Sequence, residues 1–514
     1  MPKMIFLPNR KCTIEETVAC VADIAAPQSE ISVASVVFAK AGPTLTSLAS
    51  APALREKAGR SRLKRLEILD VASNGMAALV DVPQRRKLPT SEKGTFHPLV
   101  TYVPVSLATR LRPMPVELTS GLMAAPIFTV QLVDATTGAP VADALTSLSV
   151  PGGPQDVDAY SDDQGKVRFR LRKRHVEDAR LLVQPGRGGH WGLFLDNVDI
   201  ANGDVFKLES VDLDQKNDCL RQLLRPGHAE HGRGVKVGIL DSGVGPHPDL
   251  PNVTGDLDNS RAHGTHVAGI IGGRGAGNKA GVAPGVSLMS YQIADDPETG
   301  AASNFQIFSA VSKAIDDGCD IINLSFKDEN ETDEHFDDPV LSSAIRDACD
   351  RGILCVAAAG NDGRRHVAFP ARHPDAVSVA ALGWEPGLPQ NAYDRITIND
   401  PRGRDDGALF FGSFSNIGTE GTQVDIVAPG VGVVSTIPGG QYVPLSGTSM
   451  ACPATVGMVA RLLGERPDIL NMERSRPRME AIKALLFENS STSGFDREYE
   501  GHGMPHDDWS RATV

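Results

Sequence analysis

Val237-Gly238-Ile239-Leu240-Asp241-Ser242-Gly243 is an apolar run that stops on a carboxylate and a glycine turn. Residues 235–240 read as a β-branched strand. Downstream the pattern alternates. Residues 303–317 put Ile307, Phe308, Val311, Ala314 and Ile315 on one helical face and end at Gly318. Residues 321–324 are a strand, residues 340–350 a helix ending at Gly352, and residues 353–358 the next strand. This rhythm predicts an α/β domain with a doubly wound, mostly parallel sheet over residues 233–514. Such sheets bind ligands at the carboxyl ends of their strands. Asp241 and Asn361 both follow strands and fall on that edge.

Two more blocks carry matching chemistry. His263-Gly264-Thr265-His266-Val267-Ala268-Gly269 supplies an imidazole. Ser446-Gly447-Thr448-Ser449-Met450-Ala451-Cys452-Pro453 sets a serine between a glycine turn and a small, apolar helix start. A serine hydroxyl is a poor nucleophile until a base takes its proton. An imidazole suits that task near neutral pH. A carboxylate then fixes the imidazole tautomer and steadies its charged form. The turn at Gly447-Thr448 places Ser449 near a helix N-terminus, where partial positive charge favours developing negative charge. Pro453 is expected within the first turn, where its missing N–H costs little. Taken singly these residues are ordinary: a serine in a turn, an aspartate capping after a strand, a surface histidine. Three extended blocks in one order are harder to explain that way.

The order Asp, His, Ser with these flanks resembles the subtilisin-like serine peptidases, the subtilases, over more than half of the chain. The resemblance implies a subtilisin-like fold and a serine endopeptidase acting through an acyl-enzyme on Ser449. It makes Asp241, His263 and Ser449 the catalytic residues, with His263 rather than His266 as the base. Ala357-Ala358-Ala359-Gly360-Asn361-Asp362-Gly363 resembles the family block whose asparagine supplies an oxyanion donor. Asn361 takes that role beside the Ser449 backbone N–H. Ser325, Phe326, Ala358 and Gly360 are the substrate-binding positions. No cofactor is implied. No metal site is expected: His263 and His266 lack the carboxylate of a His-Glu-x-x-His zinc motif, and the loop 274–281 lacks acidic calcium ligands. The chain also departs from the family. The glycine-rich edge that pairs with substrate reads Ser325-Phe326-Lys327-Asp328, and Ala454 stands where a histidine is usual.

The N-terminal half is organised differently. Residues 1–112 read as a small α/β unit, either propeptide-like or regulatory. It has a strand at 3–7, a helix from the capping box Thr13-Ile14-Glu15-Glu16 to Ile24, and a hairpin about Asn74-Gly75. A basic stretch at 55–65 reads as a solvated face or a partner-binding loop. Residues 125–210 read as an all-β sandwich module, similar to transthyretin-like or carboxypeptidase-regulatory-like domains. Arg168, Arg170 and Arg172 alternate there on a solvent face. Residues 211–232 read as a linker with a short helix.

A net charge of −13 at pH 7 argues against a nucleic-acid partner, and no apolar run is long enough for a membrane span. The seven cysteines are scattered without metal spacing and read as reduced core residues. With no visible signal peptide the expectation is a cytoplasmic protein, which leaves secretion open. Residues 328–338 contain seven acidic residues and read as a solvated loop or as a negative rim favouring basic substrates. The partners expected are a protein or peptide substrate and, through residues 1–210, a regulatory protein. The rival reading is a non-catalytic relative that uses the fold as a binding scaffold.

Overall fold

The computed structural model describes residues 3–8, 17, 67–72, 77–81, 94–104, 127–150, 157–171, 174–258, 262–294, 301–328, 337–399, 401–403 and 407–507. The expected helix at 13–24, apart from Thr17, the basic stretch 55–65, and the Asn74-Gly75 turn lie outside the described residues.

Near the N-terminus, β1 (Lys3–Pro8), β2 (Glu67–Val71), β3 (Ala78–Asp81) and β4 (Gly94–Pro98) form a sheet in the order β2-β3-β1-β4. β2 and β3 pair antiparallel, as a hairpin would. β5 (Thr101–Pro104) leaves this sheet and joins another. Ile5, Ala72, Ala77 and Tyr102 are buried in the same hydrophobic core as the C-terminal domain.

Seven strands follow: β6 (Ile127–Asp134), β7 (Ala144–Ser149), β8 (Val157–Tyr160), β9 (Lys166–Arg170), β10 (His175–Pro185), β11 (Leu193–Ala201) and β12 (Val205–Leu208). They make two sheets, β11-β10-β7-β8 and β12-β6-β9. Phe128, Val130 and Leu132 alternate inward along β6 and meet Val167 and Phe169 of β9 and Leu181 and Val183 of β10 in a separate core. That alternation is the period-2 signature of a strand buried on one face. Arg168 and Arg170 point to solvent, as expected.

Residues 211–232 contain the short helix expected there. Helix α1 (Cys219–Leu223) packs into the C-terminal core through Leu220. Asp218 and Arg221 are buried and pinned rather than solvated. The Asp218 carboxylate caps α1, pairs with Arg221 at 2.7 Å, and accepts from the Val434 N–H at 2.9 Å. Arg221 also donates to the Ala280 and Val434 carbonyls. These backbone contacts offset part of the cost of burying the pair, although Arg221 Nη2 has no hydrogen-bond partner among the described residues.

The C-terminal sheet contains β13 (Lys236–Asp241), β14 (Val253–Gly255), β15 (Ser287–Gln292), β17 (Ile321–Leu324), β19 (Leu354–Ala358), β20 (Val377–Trp384), β21 (Leu409–Phe411) and β22 (Ile426–Pro429). Its order is β14-β15-β13-β17-β19-β20-β21, with β22 also on β20, and only β21 runs antiparallel. β17 and β19 are buried along their whole length, which explains their continuous apolar reading. Helices α2 (Ala262–Gly272), α3 (Asn304–Asp316) and α4 (Pro339–Asp350) connect these strands. The long α5 (Thr448–Gly464) is buried from end to end except for Gly464 and lies against β17, β19, β20 and β22. No described helix is long and apolar enough to cross a membrane.

Candidate active site

Neighbouring parallel strands end together, and this aligns the chemistry. Leu240 of β13 pairs with Leu324 of β17, and Leu324 pairs with Ala357 of β19. Asp241, Ser325 and Ala358 are each one residue further, in a row along the carboxyl edge. α2 brings His263 to this edge and α5 brings Ser449.

The Asp241 carboxylate is buried and collects several donors. It accepts from the Ser242 N–H at 2.7 Å and hydroxyl at 3.1 Å. His263 Nδ1 lies 2.8 Å and 3.0 Å from its two oxygens. A proton on Nδ1 leaves Nε2 with a lone pair. Nε2 is buried and has no hydrogen-bond partner among the described residues. His266, which follows one turn later, is engaged elsewhere: its Nε2 donates to the Val443 carbonyl at 3.0 Å, and burial pushes its pKa down to about 3.

Ser449 is the second residue of α5, fully buried. Its hydroxyl donates to the Ser325 carbonyl at 3.0 Å and is not bonded to His263. The geometry therefore joins Asp241 to His263 and joins Ser449 to Ser325, and leaves the His263–Ser449 link unmade. Catalytic hydrogen bonds are often loose before substrate binds.

Pro453 is not in the first turn. It is the sixth residue of α5 and lies inside the helix. It therefore cannot donate to the carbonyl four residues back, that of Ser449. The Ser325 hydroxyl fills the gap, donating to the Ser449 carbonyl at 3.2 Å. Ser325 thus holds Ser449 twice, once by its hydroxyl and once by its carbonyl. Cys452 anchors the same turn with Sγ 3.3 Å from the Asn323 side chain and 3.3 Å from the Val356 carbonyl. Burial pushes its thiol pKa up to about 12, so it is no nucleophile.

Asn361 follows β19. Its Oδ1 accepts from the Thr448 N–H at 3.0 Å and hydroxyl at 2.9 Å. An N–H can only donate, so this pair fixes which end of the amide is oxygen. The other end, Nδ2, is buried without a partner among the described residues. Gly360 serves the turn: its φ is +114°, and a Cβ there would lie 2.4 Å from Asn416 Nδ2. Its N–H is taken by the Thr448 hydroxyl at 3.2 Å and its carbonyl by the Asn416 N–H at 3.0 Å.

The expected substrate edge is already paired. β18 (Phe326–Asp328) runs antiparallel to β5, with Phe326 opposite Pro104, Lys327 opposite Val103 and Asp328 opposite Tyr102. β16 (Ala302–Ser303) pairs with the other side of β5. Asn304 adds two contacts, accepting from the Val100 N–H at 3.1 Å and donating to the Pro98 carbonyl at 3.3 Å. Lys327, at a position where the resemblance expects glycine, makes a buried ion pair with Asp362 at 3.0 Å.

The ends of the acidic run are not solvated. Asp328 accepts from the Phe369 N–H at 3.2 Å, and Asp338 caps α4. Residues 329–336 lie outside the described residues. Among those described, no cluster of three or more His, Cys, Asp or Glu residues could hold a metal, and the five described cysteines are free and buried.

One further acid sits under the serine loop. Asp394 accepts from the Ser446 hydroxyl, which in turn accepts from the Gly432 N–H at 2.9 Å. Burial raises the Asp394 pKa from 3.8 to about 6, against the pull of Ser446. The folded chain thus holds a proton that the unfolded chain releases. Stability from this group is fullest below about pH 4, falls as pH rises to about 6, and is flat above. The swing is on the order of 3 kcal/mol. Asp394→Asn is expected to remove that slope, which urea midpoints for both proteins at about pH 4.5 and 6.5 would show.

A family model described as the subtilase family matches residues 232–503. Subtilisin NAT of Bacillus subtilis subsp. natto is 32% identical over 274 residues, covering 50% of this chain and 62% of its own length. The subtilisin of Bacillus pumilus is 32% identical over 274 residues, covering 50% of this chain and 86% of its own. Among solved structures, the prenylagaramide maturation protease PagA is similar over 54% of this chain and 92% of its own, with 26% identity and a TM-score of 0.43. The chain belongs to the subtilase family.

Proposed function

We propose that the chain is a serine endopeptidase whose own N-terminal segment blocks its cleft. The carrying observation is that two buried polar groups at this edge of the sheet lack partners among the described residues. His263 Nε2 is free to accept a proton, and Asn361 Nδ2 is free to donate to an oxyanion. In this reading, rotation of the Ser449 side chain away from the Ser325 carbonyl brings its hydroxyl to His263. The Oγ attacks the peptide carbonyl carbon as His263 takes the proton. The oxyanion is held by Asn361 Nδ2 and the Ser449 N–H at the start of α5. His263 then gives its proton to the leaving amine, and water releases the acyl group by the reverse path. Asp241 keeps the ring oriented throughout.

The inhibitory role proposed for residues 1–112 rests on β5. It lies where an extended peptide would lie, paired on both sides, and runs from Tyr102 towards Ser325, the residue that holds Ser449. Adding a strand to a sheet edge is a common mode of peptide recognition. A chain segment that supplies this strand itself favours an internal regulator over an external one. The module at 125–210 then acts as a sandwich domain of the transthyretin-like kind, placed between inhibitor and enzyme.

A fluorophosphonate probe tests the reading. The purified chain is expected to be cut within a few residues after Pro104, and the cut form to carry the label on Ser449. The Ser449→Ala protein should stay full length and unlabelled. A wild-type chain that remains whole and unlabelled, even after limited proteolysis removes the N-terminal region, would favour the non-catalytic scaffold.

A further inference from the structure

We infer that the cleft contains a tyrosine-recognising subsite, built by Asp338 and Phe326 and occupied here by Tyr102. The inference rests on the proposed peptidase reading and specifies its substrate.

Tyr102 is fully buried although it lies on a two-sided strand between β16 and β18. Its backbone is opposite Ala302 on one side and Asp328 on the other. Its ring meets the Phe326 ring edge-on, with centroids 5.7 Å apart and planes at 81°. Its hydroxyl donates to Asp338 Oδ2 at 2.8 Å. Any chain segment that paired with β18 in this register would direct the same side chain into the same space.

The acceptor is held rigidly. Asp338 is the N-cap of α4, and Pro339 starts the helix behind it. One carboxylate oxygen, Oδ1, is committed to the helix, accepting from the Val340 N–H at 2.9 Å and the Leu341 N–H at 3.4 Å. The other, Oδ2, faces the phenol. Asp338 is itself buried, and burial raises its pKa, while the hydrogen bonds from Tyr102 and Asn304 work in the opposite direction. Burial and the neighbouring Asp338 raise the Tyr102 pKa well above its ordinary value, so the phenol keeps its proton and remains the donor. A phenylalanine in the same place would fill the apolar space and leave a buried carboxylate without this donor. Sites built to hydrogen-bond a substrate hydroxyl discriminate strongly against the analogue that lacks it, because the buried acceptor is left short of a partner. An acidic wall recognising a neutral phenol differs from the expectation that the acidic run would select basic side chains. Asp338 reaches the cleft through a short hydrogen bond to a buried ring, where a lysine would have to shed its hydration.

The test uses quenched fluorescent peptides spanning Leu99-Val100-Thr101-Tyr102-Val103-Pro104-Val105-Ser106, with Tyr, Phe or Lys at the Tyr102 position, and the full chain after self-processing. The Tyr peptide should exceed the Phe peptide in kcat/KM by about 10-fold or more, the scale of a hydrogen bond to a charged group, and the Lys peptide should be poorest. In Asp338→Ser, a shorter side chain that still caps α4, the Tyr and Phe peptides should become nearly equal. A wild-type enzyme that cleaves Tyr and Phe peptides equally overturns the subsite and leaves the peptidase reading standing. One that cleaves none of the peptides, nor itself, overturns both. Because the decisive change is in the peptide, the outcome does not depend on how well the variant folds.

Discussion

Replacing His263 by alanine is expected to lower kcat by about 10⁶-fold, the scale that losing the base or the nucleophile has in subtilisin rather than a figure derived from this geometry. The argument is one of exclusion. Ser449 needs a proton acceptor at its hydroxyl, and each alternative near it is already committed. Asp241 already accepts from the Ser242 N–H and hydroxyl and touches His263 Nδ1. His266 presents an N–H to the Val443 carbonyl and is held neutral by burial. The Ser325 carbonyl accepts the serine hydroxyl but is far too weak a base to take its proton. Of these groups, only His263 Nε2 is both unpartnered among the described residues and polarised by a carboxylate behind it. In the variant Asp241 keeps its two contacts from Ser242, so the fold should lose only about 1–3 kcal/mol. Activity on peptides and self-cleavage after Pro104 should vanish together, while chemical denaturation stays cooperative. A variant within tenfold of wild type would place the base elsewhere and end this account of the site.

The parts of this arrangement that could be read from sequence are those set by local pattern. β13, β17 and β19 are apolar runs because both faces are buried, and α3 and α4 carry one apolar face each. The residues that follow those strands therefore had to gather on one edge. What could not be read depends on partners far away in sequence. Tyr102 and Asp338 are 236 positions apart, and nothing in either neighbourhood announces the other. The run at 328–338 resembles a solvated loop by composition, yet its two end residues are fixed by backbone N–H groups of Phe369, Val340 and Leu341. Asp218 and Arg221 resemble linker residues until the Val434 backbone satisfies them. Proline favours the first turn of a helix, so the sequence alone points Pro453 there. The helix begins at Thr448, and the proline is tolerated deeper inside because Ser325 supplies the donor that the Ser449 carbonyl loses. A proline four residues after Ser449 thus leaves the Ser449 carbonyl to take a donor from outside the helix.

Asn361→Leu should lower kcat by about 10²- to 10³-fold with little change in KM, the range known for a single oxyanion donor in subtilisin and not a value calculated from this site. Leucine keeps the volume and removes both polar ends of the amide. The two ends do different things. Oδ1 holds the start of α5 through the Thr448 N–H and hydroxyl. Nδ2 has no ground-state partner among the described residues, so a donor has been left buried and unsatisfied. Such a donor costs folding energy, on the order of 1–3 kcal/mol, and is useful only if charge develops opposite it. A contact formed only in the transition state changes kcat and leaves ground-state affinity alone. Losing the Oδ1 contacts instead would loosen Thr448, shift Ser449, and disturb binding and catalysis together. Thr448→Ala separates the two effects, since it removes the hydroxyl's contacts with Asn361 Oδ1 and the Gly360 N–H and spares Nδ2. It should cost about 30-fold or less, the scale of two neutral hydrogen bonds. Single-turnover rates on one peptide for both variants would decide the matter: equal losses would mean that Asn361 merely positions the serine loop, whereas a loss confined to kcat and much larger in Asn361→Leu requires that the free amide meets the oxyanion.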